Sequence, residues 1–119
     1  MIGEKLIHLS DGTMMDVKIN FATLYYIKNM GIDKLIKRSN RKDKNGNKIP
    51  MSERESMELA AKIIYVILRS NGKKVEDIDE AMILVPMDTD EIKDLFHEFE
   101  NRLQDYKKKE QAKRNARKK

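Results

Sequence analysis

The residues best placed to do chemistry in this chain are two histidines, eleven carboxylates crowded into residues 76–105, and a lysine-rich end. His97 stands three residues after Asp94 and four before Asn101, so the three share one helical face and a metal contact is geometrically open to them. A polar helix also carries such a histidine simply as solvated surface, and that is the preferred reading. His8 has no partner close in sequence. Paired carboxylates do acid–base work when an apolar pocket raises one of their pKa values. Those of 76–105, opposed only by Lys93 and Arg102, read instead as the solvated face of a helix. Five glycines scattered singly make no phosphate-cradling loop, and no serine has the strand–turn–helix setting of an activated nucleophile. With no cysteine, disulfides, thiolate chemistry and Cys-ligated zinc are all excluded. No catalytic, cofactor-binding or metal-binding residue is expected, and the chain reads as a non-enzyme.

Charge is sorted along the chain. Residues 88–106 carry seven acids against Lys93 and Arg102, and then 107–119 carry eight bases (Lys107, Lys108, Lys109, Lys113, Arg114, Arg117, Lys118, Lys119) against Glu110. The whole chain is +5 and the tail alone +7, so residues 1–106 sum to −2. The pI near 9.3 therefore belongs to the tail. A second basic patch lies at 34–48, where seven bases face only Asp43. Such a dipolar chain suits self-association or an oppositely charged protein partner.

The elements that must position these groups follow from periodicity. Residues 2–9 and 13–19 alternate around Asp11-Gly12, a hairpin pattern, and a two-stranded hairpin needs helices to pack on. Asn20 caps a helix ending at Gly31, and Asp33 caps a short turn with Leu35 and Ile36. Residues 39–50 read as a mobile loop. Ser52 and Glu55 form a capping box that opens the central helix, which buries Ile64 and Ile67 and ends at Asn71-Gly72. Glu76–Val85 makes a shorter helix stopped by Pro86. Asp88 and Glu91 form a second box, opening a long C-terminal helix whose stripe Ile92, Leu95, Phe96, Phe99, Leu103, Tyr106 is apolar on one side and anionic on the other. Such stripes are mostly core; as a partner or self-association surface, the alternative, this one would have Phe96 and Phe99 as anchors. The eight methionines lean toward adaptable apolar surfaces. The expected architecture is mainly α: an N-terminal β-hairpin packed on a small helical domain spanning 1–106, a long amphipathic C-terminal helix, and a disordered basic tail at 107–119.

No stretch approaches the roughly 20 apolar residues of a membrane span, and the start lacks the layout of a secretion signal. A soluble, cytosolic protein without a membrane partner is the expectation.

In these residues the chain resembles the tail assembly chaperones of long-tailed bacteriophages and prophages. The resemblance runs through the hairpin IHLSDGTMMDVKIN, a basic linker, the apolar helix MELAAKIIYVILRSNGK, the segment VEDIDEAMILVPMD and the acidic helix DEIKDLFHEFENRLQDY breaking up into lysines. It implies a non-enzymatic protein of virion morphogenesis that keeps the tape-measure protein soluble while tail-tube subunits polymerise around it. It also implies a place in the cytoplasm of the bacterial host and absence from the mature virion, with a homo-oligomer compatible. The family often makes a longer product by frameshifting, and codons for Lys107–Lys109 or Lys118-Lys119 can carry the adenine runs on which ribosomes slip. The alternative is a small nucleic-acid-binding regulator using 34–48 and 107–119. Its basic tail, lacking aromatics after Tyr106, offers phosphate attraction but no base stacking, so at most weak, unspecific binding is expected. A third reading is a structural subunit of a tail or capsid connector.

Overall fold

The computed structural model describes residues 6–39, 41–49 and 51–117, with side chains as far as Gln111 apart from that of Ser39. The chain is mainly helical, with an N-terminal hairpin and a long C-terminal helix. Strands β1 (Leu6–His8) and β2 (Met14–Asp16) pair antiparallel, Ile7 opposite Met15, and residues 2–5 of the expected first strand lie outside the described residues. Asp11 fixes the turn: its carboxylate accepts the Thr13 hydroxyl at 2.6 Å and the Thr13 backbone N–H at 2.9 Å, bonds that hold its pKa below the usual Asp value. Gly12 follows at φ 88°, a conformation that favours glycine. The period-two pattern then puts Ile7, Leu9, Met15 and Val17 inside.

Among the described residues five helices follow: α1 (Phe21–Asn29), α2 (Ile32–Ser39), α3 (Glu53–Ser70), α4 (Ile78–Leu84) and α5 (Thr89–Arg117). Helix α3 is the centre. The Ser52–Glu55 capping box opens it, and hydrogen bonds from the Ser52 backbone and hydroxyl, with Arg41 and Arg38 nearby, hold the Glu55 carboxyl below the ordinary Glu value. Its inner face, including Leu59, Ile63, Ile64, Val66 and Ile67, is buried, as expected of Ile64 and Ile67. Helices α1, α2, α4 and α5 all pack against it, and the hairpin meets α5 through β1. Buried apolar side chains from every element join in one cluster.

Polar side chains pin the periphery. Asn20 caps α1 in a reciprocal box with Thr23, and the fully buried Thr23 hydroxyl lies 2.8 Å from the Ser70 hydroxyl at the end of α3. The Asn20 amide donates to the Ser70 carbonyl at 3.0 Å. Asn71, just past α3, donates to the Lys18 carbonyl at 3.1 Å. Both ends of α1's cap are thus satisfied by the helix it packs on, as buried polar groups require.

Four features differ from the sequence expectation. Helix α2 starts one residue before Asp33: the Gly31 carbonyl accepts the first helical bonds, from Lys34 and Leu35. Ile32 is buried, so packing sets the boundary, and Asp33 sits in the first turn where a carboxylate suits the helix dipole. The second capping box does not form. Asp88 caps α5 through the Asp90 N–H at 2.9 Å, while Glu91 turns to His8 of β1, its Oε1 3.1 Å from the ring Nδ1. Residues 41–49 make a small hairpin closed by a Lys42–Lys48 bridge, with the Asp43 carboxylate accepting the N–H groups of Asn45 and Asn47 at 2.9 Å each. Finally, α5 continues past Tyr106 to Arg117, into the segment expected to be disordered. Lysine, arginine, glutamine and alanine are good helix formers, no glycine or proline intervenes, and cations suit a helix C-terminus, so local propensity favours continuing the helix. Lys118 and Lys119 lie outside the described residues, as do the side chains of Lys113, Arg114 and Arg117.

Of the described side chains in this extension, Lys107, Lys108, Lys109 and Gln111 are exposed and Glu110 is half-buried. Removing 107–119 is expected to leave the melting temperature almost unchanged. A fall of roughly 4–8 °C, about 1 kcal/mol for a small domain, would show instead that the extension packs on the fold.

Candidate functional site

The site is an open apolar groove of about 860 Å³ where α3, α4 and α5 converge. Its one wall is the start of α3, with Met51 just before it and Met57 a turn inside; the other is the end of α4 and its connection to α5, carrying Met82, Ile83 and Met87. The first turns of α5 supply Ile92, Lys93 and Phe96. Four of the chain's eight methionines line it. Their unbranched thioether chains adapt to differently shaped apolar partners.

The local sequence explains why these side chains stay uncovered. Residues 81–85 are an unbroken apolar run followed by Pro86-Met87, and α4, only seven residues long, ends within the run at Leu84. A helix that short has one face toward the core, which takes Ala81. Met82, Ile83 and Met87 therefore point away, at 40, 74 and 95 % exposure, and Met57 across the groove is 47 % exposed. Pro86 is buried and lacks an N–H, ending α4 and setting the bend that carries Met87 out. The Ser10 backbone N–H donates to the Leu84 carbonyl at 3.1 Å and its hydroxyl to the Ile83 carbonyl, so the hairpin holds the end of α4 in place.

The C-terminal stripe divides. Leu95 and Phe99 are completely buried and belong to the core, which corrects their assignment to a partner surface: they face α3 and the hairpin. Ile92 and Phe96 are half-buried and line the groove, the only members of the stripe that do. Leu103 and Tyr106 are half-buried further along α5, away from it. Beside the stripe, Arg102 bonds Glu98 at 3.2 Å and approaches Asp16 Oδ1 at 3.7 Å. That second distance is a charge contact and too long for a hydrogen bond, which is why the enclosed Asp16 oxygen has no hydrogen-bond partner.

Sequence periodicity missed the groove because its walls lie some 30 residues apart along the chain; the usable signal was the apolar run 81–87, longer than one short helix can bury. Among the described residues, no three His, Asp or Glu side chains converge as metal ligands, and His97 is exposed. No described helix is long and apolar enough to cross a membrane. Compared with known proteins, the chain matches no family model, no characterised sequence and no solved structure.

Proposed function

We propose that the chain is a non-enzymatic tail assembly chaperone of a long-tailed bacteriophage or prophage, holding the tape-measure protein in the host cytoplasm while tail-tube subunits assemble. The methionine-lined groove carries this reading. A long helical client with apolar stripes aggregates unless those stripes are covered, and an open, adaptable apolar surface covers them without chemical change. The order of elements along the chain supports the same reading through the family resemblance. Co-expression with a candidate tape-measure protein tests the proposal. The full chain should raise the soluble fraction of the client, and Ile83→Ser with Met87→Gln, both exposed sites, should lose that effect while remaining folded. A client equally insoluble with and without the chain overturns the reading.

A second reading, nucleic-acid binding, has one observation in its favour: Arg41–Lys48 forms a hairpin exposed along its whole length, next to the cations of α2. On the chaperone reading, DNA or RNA affinity should be weak and sequence-independent, falling with salt at a slope near −0.9 per phosphate neutralised. Tight, sequence-specific binding at physiological salt would replace the chaperone with a regulator.

A further inference from the structure

The groove's border is anionic. Glu53 lines it, Asp88 and Asp90 flank the lining residues Met87 and Thr89, and Asp79 stands one helical turn before Met82 and Ile83. All four are exposed. Against them stand Lys93 in the groove and Arg54 in the adjoining recess. An apolar floor with a negative border selects among helical partners: an anionic flank would meet like charge, and a neutral one would forgo the attraction. We infer that the groove takes the apolar face of a cationic amphipathic helix, long or aromatic side chains entering between Met57, Met82 and Met87 while flanking lysines or arginines meet Glu53, Asp79, Asp88 and Asp90. This rests on the chaperone reading for the use of the site and names the chemistry of the client segment.

A second copy's basic end has the charge but not the filling. Residues 107–119 contain no apolar side chain larger than alanine, so they leave the groove floor uncovered. The occupant needs a stripe recurring at i, i+3, i+4 and i+7, as in other helix-in-groove complexes. Its anchors give affinity and its charges give orientation and speed of encounter.

The test uses the full chain and two labelled synthetic helices of about 18 residues, ~27 Å long. Both carry the same leucine and phenylalanine stripe; one has lysine flanks and the other glutamate flanks. Fluorescence anisotropy should show the lysine helix binding at least tenfold more tightly, the preference shrinking as salt screens the border. Ile83→Ser with Met87→Gln should weaken it at least tenfold at an unchanged melting temperature. Asp88→Asn with Asp90→Asn should remove the preference and leave the apolar part of the affinity, since asparagine still caps α5. Equal affinity for both helices overturns the inference, as does lysine-helix binding indifferent to the groove variants. So does a dimer, seen by light scattering, that closes the groove to both. Client protection in co-expression with no selection between the helices would sink this inference and leave the chaperone reading standing; selective binding without client protection would do the reverse.

Discussion

Phe99→Ala is expected to cost about 3–5 kcal/mol, enough to unfold much of the population of a small domain. Phe99 is completely buried in α5, in the cluster that holds α5 to α3 and to the hairpin. Its removal leaves a cavity that the surrounding core closes only in part. Phe96, three residues earlier, lines the groove and is half-buried. Phe96→Ala should therefore leave a folded protein and, on the proposed chaperone role, reduce client binding more than stability. Denaturant melts of the two variants, set beside their client solubility in co-expression, measure the contrast. A folded Phe99→Ala protein with near-native stability would place its ring outside the core and merge the two positions into one surface.

The second large effect is expected at Ile64, fully buried on the inner face of α3. Ile64→Ala should cost about 2–5 kcal/mol, the deleted carbons losing both their transfer from water and their packing. Ile83→Ser makes the matched control, because Ile83 is already 74 % exposed and gives up little buried area. Equilibrium urea unfolding should shift the midpoint strongly for the first and little for the second, with similar slopes. A small shift for Ile64→Ala would move α3 from the centre of the body to its surface.

Local signals carried far in this chain. Asp11-Gly12 marks the hairpin, Asn20 and Ser52 the starts of α1 and α3, Asn71-Gly72 the end of α3, and Pro86 the end of α4. Each works through hydrogen bonds within a few residues, so each is legible without tertiary structure. The division of the C-terminal stripe was not. Phe96 and Phe99 lie about 60° apart around a helix, and an apolar face reads the same whether it meets its own core or a partner. Only the placement of α3 and the hairpin separates them. Glu91 shows the same limit: its local position fits a capping box, yet His8, 83 residues away, takes its carboxylate. The groove needs residues 51–57 beside 82–96, a proximity no local pattern encodes.

The contact between the first strand and the last helix also sets the order in which the body can form. Ile7 and Met15 are buried in the cluster that Leu95 and Phe99 complete, and His8 and Ser10 fasten to residues 83, 84 and 91. Closing a segment that long costs about 4 kcal/mol of chain entropy before its contacts repay it. A growing chain can wind α1 and α3 early, but the inner face of its hairpin stays bare until α5 has been synthesised. Non-local closure of this kind slows folding. During that interval the unfinished chain exposes apolar surface of the very sort its finished form is proposed to cover on others.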